Sequence, residues 1–460
     1  MKRLLKQMLE KLTAFLLAFT MLLPAAGAAE ETTQYPPYPD ELKITIAYEE
    51  CTGADGQVWE VGVPVTCREE INEQLRAAQT ELFAQAQQNA LENDDLEMMA
   101  TYRVSGEKWA GFLLTGRVIR EIEVPGGNNY DETVFLDYRV FSFDMGTGEA
   151  LTLANVFPAG SEAWGMIAQE TEKQLRAFWT ELPHDEAAIA RLCSIERLQQ
   201  LPFLPGAGRL LIHAPLWEVV EGKLQLTNIN LYYPDYRPMM TEAALAQTDN
   251  SHRPIVAVTY DDGPSLYYTP QIREHLATYG ASATFFIVTS KMLGLADGVR
   301  SAMDYGHTAA SHTYKHVYEY QVGPSSLRED RQMCLDKHRE LLGIEPYLFR
   351  APGGSCKKYV GSEIGWPIIL WSYSAGDTGN NTADQLAQRI ITGSEDGDIL
   401  LMHDIKKKTA IGTETFLREM TEMGFMFATV EELLYLHGMT IEPNMVYHDA
   451  YTPPMTKGLV

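Results

Sequence analysis

The stretch AASHTYKHVYEY sets His312 and His316 four residues apart. On a helix this spacing puts both imidazoles on one face, where they read either as a metal pair or as plain helical surface. Only a third ligand separates the two readings. Groups of suitable chemistry recur through the C-terminal half: the adjacent carboxylates Asp261 and Asp262, then Arg350, Asp377 and His403. Carboxylate oxygens and imidazole nitrogens hold divalent ions and move protons, and a guanidinium holds an anion in place.

These residues gain meaning from the elements that carry them. IVAVTYDD, SATFFIVT, HTAASH, YLFRAPGG, IILWSY, DILLMHD and FMFATV are short apolar runs that read as strands. The segments between them, PQIREHLATYG, SSLREDRQMCLDKHRELLG, TADQLAQRII and GTETFLREMTEMG, read as helices, three of them closing at Gly. Strands apolar on both faces and alternating with helices imply a parallel sheet covered by helices. Seven such strands predict an α/β domain over residues 253–440, a shortened (β/α)7 barrel, with an open doubly wound sheet as the alternative. In barrels the working residues sit at the C-terminal strand ends. Asp261 and Asp262, His312 with His316, Arg350, Asp377 and His403 all fall at or just beyond such ends. Their convergence favours one site over scattered surface groups.

The front of the chain has a different pattern. Residues 30–237 read as a smaller α+β region of unassigned role. In it TVFLDYRVFSF alternates with period two through Val134, Leu136, Tyr138 and Val140, while REEINEQLRAAQTELFAQAQQ and SEAWGMIAQETEKQLRAFW are helical in spacing. No catalytic constellation stands out there. Residues 238–252, bracketed by Pro238 and Pro254, read as a linker, and residues 441–460 as a C-terminal tail.

Residues 1–29 read as an export signal: Lys2, Arg3, Lys6 and Lys11 precede the run LTAFLLAFTMLL, followed by Pro24 and AAGAA. The expectation is a secreted or cell-wall protein, with an uncleaved anchor as the alternative. Net charge is −25, and residues 30–249 carry 36 acidic against 15 basic groups. So acidic a front half repels phosphate, which excludes nucleic acid as a partner. Five cysteines leave at least one unpaired in a monomer. Cys51 and Cys67 flank a Gly-containing stretch read as a hairpin and are expected to pair, whereas Cys334 reads as a small buried hydrophobe. His213, His252, His275, His338, His437 and His448 match no motif and read as structural or solvated.

In register, TYDDGP, HTYKH, RAPGG, the GD after WSYSA, and LMH resemble the five motifs of the polysaccharide deacetylases of carbohydrate esterase family 4, the NodB-homology domain. The resemblance covers roughly residues 253–438. It implies that Asp262, His312 and His316 hold one divalent ion, zinc first, with cobalt or manganese as alternatives. It makes Asp261 the general base and His403 the acid that protonates a leaving amine. Arg350 is expected to hold Asp261, and Asp377 to orient Arg350. The Gly353 N–H is expected at the oxyanion, and Trp371 and Leu401 beside the substrate. Gly353 stands where the family usually has Tyr, and Ser374 and Thr378 replace an acid and a Trp of the fourth motif, so a more open pocket is expected.

The implied activity is removal of N-acetyl groups from a glycan, peptidoglycan first, with chitin oligomers or acetylxylan as alternatives. LDYRVFSFDMGTGEALTLANVF and the helix after it resemble modules that precede the deacetylase domain in some Gram-positive peptidoglycan deacetylases. Such a module would bind a cell-wall ligand. The competing reading is a non-catalytic wall-binding or sensing protein.

Overall fold

Two-residue alternation and β-branched runs build the front of the chain. In this computed structural model, which describes residues 35–53, 56–124, 129–318, 321–354 and 358–455, Thr45–Thr52 and Val58–Val65 form an antiparallel hairpin. The expected export segment lies outside the described residues. The hairpin is present, but its register separates the cysteines: Cys51 opposes Trp59, and Cys67 lies beyond the Thr45–Val65 pair at the other end. That is a gap of roughly 20 Å, against the ~7 Å limit for a bridge. Both thiols are free, so the expected Cys51–Cys67 disulfide is not formed.

Asp95–Ser105, Trp109–Ile122 and Tyr130–Asp144 follow as a long antiparallel sheet. Helix Glu69–Asn89 lays Ile71, Leu75, Leu82 and Ala86 against it. The expected alternation holds for Leu136, Tyr138 and Val140, which share one apolar cluster. Val134 departs from it. The register slips there, with Val118 opposite Phe135 and Ile119 opposite Thr133, so Val134 is the extra residue of a bulge and packs on the other face.

The back half is an α/β assembly around a parallel sheet. Ile255–Asp261 is its centre, paired with Thr284–Ile287 and Met426–Ala428 and, on another edge, with Ile399–His403. All seven residues of the central strand are buried, as its unbroken apolar run requires. Thr308–Ser311 pairs with Thr284–Ile287, Ser311 bridges Phe349, and Phe349 bridges Ile368, all in parallel. A few residues later in the same segment Tyr373 pairs with Leu400.

Front and back are not separate bodies. Residues Pro37–Val460 form one compact unit, and one apolar cluster holds Phe203, Leu210 and Ile229 together with Val258, Phe285 and Met402. The stretch 238–252 read as a linker is packed: it holds helix Glu242–Gln247 and the fully buried Asn250. Asn250 Nδ2 donates to Ser105 Oγ and to the Ala207 carbonyl, each at 3.0 Å, and its Oδ1 accepts from the Gly106 N–H at 2.9 Å. A solvated tether would not carry a buried amide with three partners. The expected tail is also engaged, since Val446–Tyr447 pairs with Ile368–Ile369.

Asn250→Ala strands buried partners on both sides of this seam. The expected cost is about 2–4 kcal/mol, at ~1–3 kcal/mol per orphaned group, read as a lower urea midpoint. An unchanged midpoint would show that these bonds do not hold the seam.

Candidate active site

Asp261 closes the central strand, and its neighbour across the ladder is His403, the last residue of Ile399–His403. Asp262 follows in the left-handed region at φ 75°, and the two carboxylates both approach His312 Nε2, Asp261 Oδ2 at 3.8 Å and Asp262 Oδ1 at 3.6 Å. The next position tolerates only Gly, because a Cβ at Gly263 would run into the Asp404 carboxylate. TYDDGP is therefore shaped by packing on Asp404 and is more than a generic turn.

His312 comes one residue after Thr308–Ser311, and the two histidines are not on a helix. Residues 312–318 form a loop in which Thr313 and His316 both have positive φ, at 66° and 57°. The helical face assumed from the spacing is thus absent, yet the loop brings the rings to 5.2 Å between centroids. His312 Nδ1 donates to the Arg350 carbonyl at 2.8 Å. That bond fixes the tautomer and leaves the Nε2 lone pair free.

His312 Nε2 and His316 Nε2 lie 3.6 and 3.0 Å from Asp262 Oδ1. Neither contact is aligned as a hydrogen bond, so this buried oxygen has no hydrogen-bond partner. Two ring nitrogens facing an unpartnered carboxylate oxygen fit a cation. One atom from each residue falls within 4.8 Å of the others, and among the described residues this is the group with ligand-like spacing. Burial holds His312 below its ordinary pKa, in the neutral form that ligates. Burial alone would raise the Asp262 carboxyl, but the His316 contact outweighs it and holds the pKa at about 2. One carboxylate and two imidazoles suit zinc or a similar divalent ion and leave coordination positions open.

Arg350 is fully buried, and each of its three side-chain nitrogens has a partner. Its Nη1 donates to Asp261 Oδ1 at 2.7 Å and to Thr259 Oγ1 at 2.6 Å. Nε and Nη2 reach the carbonyls of Ile369 and Leu370 at 3.0 and 2.9 Å, and the guanidinium lies 4.0 Å over the Phe286 ring. Arg350 does hold Asp261, as expected. Asp377 does not orient Arg350. Its Oδ1 accepts from His403 Nδ1 at 2.9 Å, and its Oδ2 accepts from the His403 N–H at 2.7 Å and Thr409 Oγ1 at 2.8 Å. The correction has a plain cause: with every Arg350 partner supplied by strand ends and carbonyls, Asp377 instead faces the imidazole. Burial lowers the His403 pKa, but the Asp377 carboxylate outweighs it and keeps it above the ordinary value.

Gly353 has φ 72°, and a Cβ there would lie 3.1 Å from the Tyr318 ring. Tyr318 also packs edge-on to His316, at 5.0 Å. The aromatic wall that Gly353 forgoes is thus supplied from the histidine loop. Trp371 stands over Gly354, where a Cβ would meet its ring, and Arg350. Leu401 is nearly buried and pairs with Thr259, so its backbone belongs to the sheet. Four residues escaped the sequence reading: Thr259, Thr409, Tyr318 and Asp404. Asp404 directly follows the LMH motif, accepts from Thr269 Oγ1 and is pushed up to about 7 by burial. Only the acid next to His403 left a visible signal.

Known proteins match this chain in the same region. The polysaccharide deacetylase family model covers residues 248–365. The peptidoglycan-N-acetylglucosamine deacetylase of Bacillus cereus is 34% identical over 194 residues, which span 40% of this chain and 90% of that protein. The Listeria monocytogenes peptidoglycan-N-acetylglucosamine deacetylase PgdA is 28% identical over 324 residues, 68% of this chain and 67% of that one. A family 4 acetyl xylan esterase from Clostridium thermocellum, solved with a cobalt ion, is 25% identical with a TM-score of 0.41, covering 43% of this chain and all of that one. These sequence matches and the paired acid and base groups define a glycan deacetylase. The chain belongs to the polysaccharide deacetylase family.

His316→Ala removes one of three ligands from this cluster. Bound zinc after equilibration and desalting, measured by elemental analysis, is expected to fall well below one per chain, since even groups behind the ligands change affinity by ~10–100-fold. Stoichiometric metal in that variant would contradict the ligand assignment.

Proposed function

We propose that the chain is an exported, metal-dependent enzyme that hydrolyses the N-acetyl groups of peptidoglycan sugars. One observation carries the reading: Asp262, His312 and His316 converge beside two hydrogen-bonded pairs, Asp261 with Arg350 and His403 with Asp377. Peptidoglycan rather than another acetylated glycan is supported by the Bacillus cereus and Listeria relatives, both peptidoglycan-N-acetylglucosamine deacetylases. Export is supported by the charged and apolar pattern of residues 1–29. The run of parallel pairings from Thr308–Ser311 through Phe349 and Ile368, and back through Tyr373 to Leu400, supports a shortened seven-stranded barrel.

A divalent ion at Asp262, His312 and His316 would supply Lewis-acid polarisation of the acetyl carbonyl and a more acidic water. Asp261, held by the Arg350 guanidinium at 2.7 Å, accepts the proton of the attacking water. His403 stands across the ladder, protonated on its Asp377-bound ring, and donates to the departing nitrogen. Two separate partners keep one group basic and the other acidic in the same cleft. Products are acetate and a free amino sugar. The front region would carry a cell-wall ligand that holds the substrate strand nearby.

Acetate release from purified peptidoglycan, chitin oligomers and acetylxylan, run on chelated and zinc-reconstituted protein, tests this reading. Turnover of peptidoglycan is expected, lost on chelation and restored by metal. Activity on acetylxylan alone would overturn the amide specificity, and none on any substrate would favour a binding protein.

The pH profile tests the acid. Protonated His403 is present below its raised pKa and is lost as pH rises through it. Asp377→Asn removes the carboxylate that raises that pKa and leaves the burial that lowers it. The alkaline limb of kcat is expected to move to lower pH, and an unmoved limb would assign the proton to another group.

A further inference from the structure

A cavity of about 410 Å³ lies at the opposite end of the parallel sheet from the catalytic groups. It borders Thr308 at the start of Thr308–Ser311, while His312 stands four residues on, about 13 Å along the strand. Helix Ala163–Ala177, the strands Arg209–Pro215 and Leu226–Tyr232, and helix Val430–Leu436 supply most of its wall. Its volume is in the range of small-molecule sites.

The wall is rich in aromatic rings, and it also holds His307, whose Nδ1 accepts from the Ala283 N–H at 3.2 Å. Tyr232 and Tyr435 stand 4.7 Å apart between centroids, and Tyr347 and Phe178 add further rings. Glu431, 2% exposed, is the exceptional group. Its Oε1 accepts from Thr308 Oγ1 at 2.7 Å and from the Tyr347 hydroxyl, both neutral, and its Oε2 has no hydrogen-bond partner. Asn228 donates to the Met303 carbonyl, and its Oδ1 is a second buried acceptor with no partner.

The cations in the wall are already committed. Arg209 pairs with Glu432 at 3.3 Å and donates to the Gly306 carbonyl at 2.7 Å, and Lys173 pairs with Glu170 at 3.0 Å. A buried carboxylate that meets only neutral hydroxyls is costly, and the group that relieves it is a positively charged donor. Tyrosine faces nearby suit the same charge.

We propose that this cavity binds a small primary ammonium compound, with its charged nitrogen at the Glu431 carboxylate and its body against Tyr232 and Tyr435. Asn228 Oδ1 offers a further acceptor. The inference stands on this wall alone and does not depend on the deacetylase reading.

Calorimetric titration of the full chain with glucosamine, cadaverine and N-acetylglucosamine tests it. At least one amine is expected to bind saturably, and the uncharged N-acetyl sugar far more weakly. Binding of both amines means that the ammonium suffices, and binding of glucosamine alone means that the sugar body is read as well. Glu431→Gln and Tyr435→Ala are each expected to weaken binding about tenfold or more, as for a lost charged hydrogen bond, while the deacetylation rate stays unchanged. Should Glu431→Gln fail to fold by circular dichroism, Tyr435→Ala decides. No saturable heat with either amine, or equal affinity in the folded variants, would overturn the site.

Discussion

The buried Arg350 guanidinium is the constraint on which the catalytic end of this molecule depends. A positive charge with no solvent exposure costs several kcal/mol unless each of its donors is met. Here the side chain meets Asp261, Thr259 and the carbonyls of Ile369 and Leu370, and the residue's own carbonyl receives His312 Nδ1. One residue thus ties Asp261, His312 and the segment that carries Trp371 to one another. None of these groups can shift alone without stranding a buried donor, so the cleft is preorganised by the cost of disturbing it.

Around that centre the charges are sorted into two pairs. Arg350 serves Asp261, and Asp377 serves His403. Had Asp377 turned to Arg350, the guanidinium would be oversupplied with carboxylates and the imidazole would be left to the burial that lowers its pKa. Dividing the partners gives the Asp261 carboxylate a guanidinium and the His403 imidazole a carboxylate that raises its pKa. Asp404, beneath Gly263, adds a third carboxyl that burial drives toward neutrality, so it sits beside Asp261 and Asp262 with little repulsion.

The front half contributes through packing. It shares an apolar cluster with the central strand, and the buried Arg117 pairs with Asp304, at the end of helix Ala296–Asp304. Arg103 likewise donates to the Tyr305 carbonyl across the same seam. Such contacts leave the front sheet and the parallel sheet little freedom to move apart. The cavity at the far end of the parallel sheet likewise draws its wall from both halves.

Much was legible from residue order alone. Apolar runs alternating with amphipathic helices specify an α/β back half, because a strand buried on both faces must be apolar throughout and a parallel partner needs a crossover. Motif residues at the strand ends named Asp261, Asp262, His312, His316, Arg350 and His403 as one constellation, and they do converge. What the order could not determine were choices among distant partners. Whether Asp377 faces Arg350 or His403, whether Tyr318 replaces the ring missing at Gly353, and whether 238–252 is tether or core depend on groups far apart in the chain. Cys51 and Cys67 show the same limit: a hairpin was readable between them, but its register, which sends them to opposite ends, was decided by packing. Local spacing encodes element type through backbone geometry, while partner choice is settled by which buried donors and acceptors remain unmet once the elements pack.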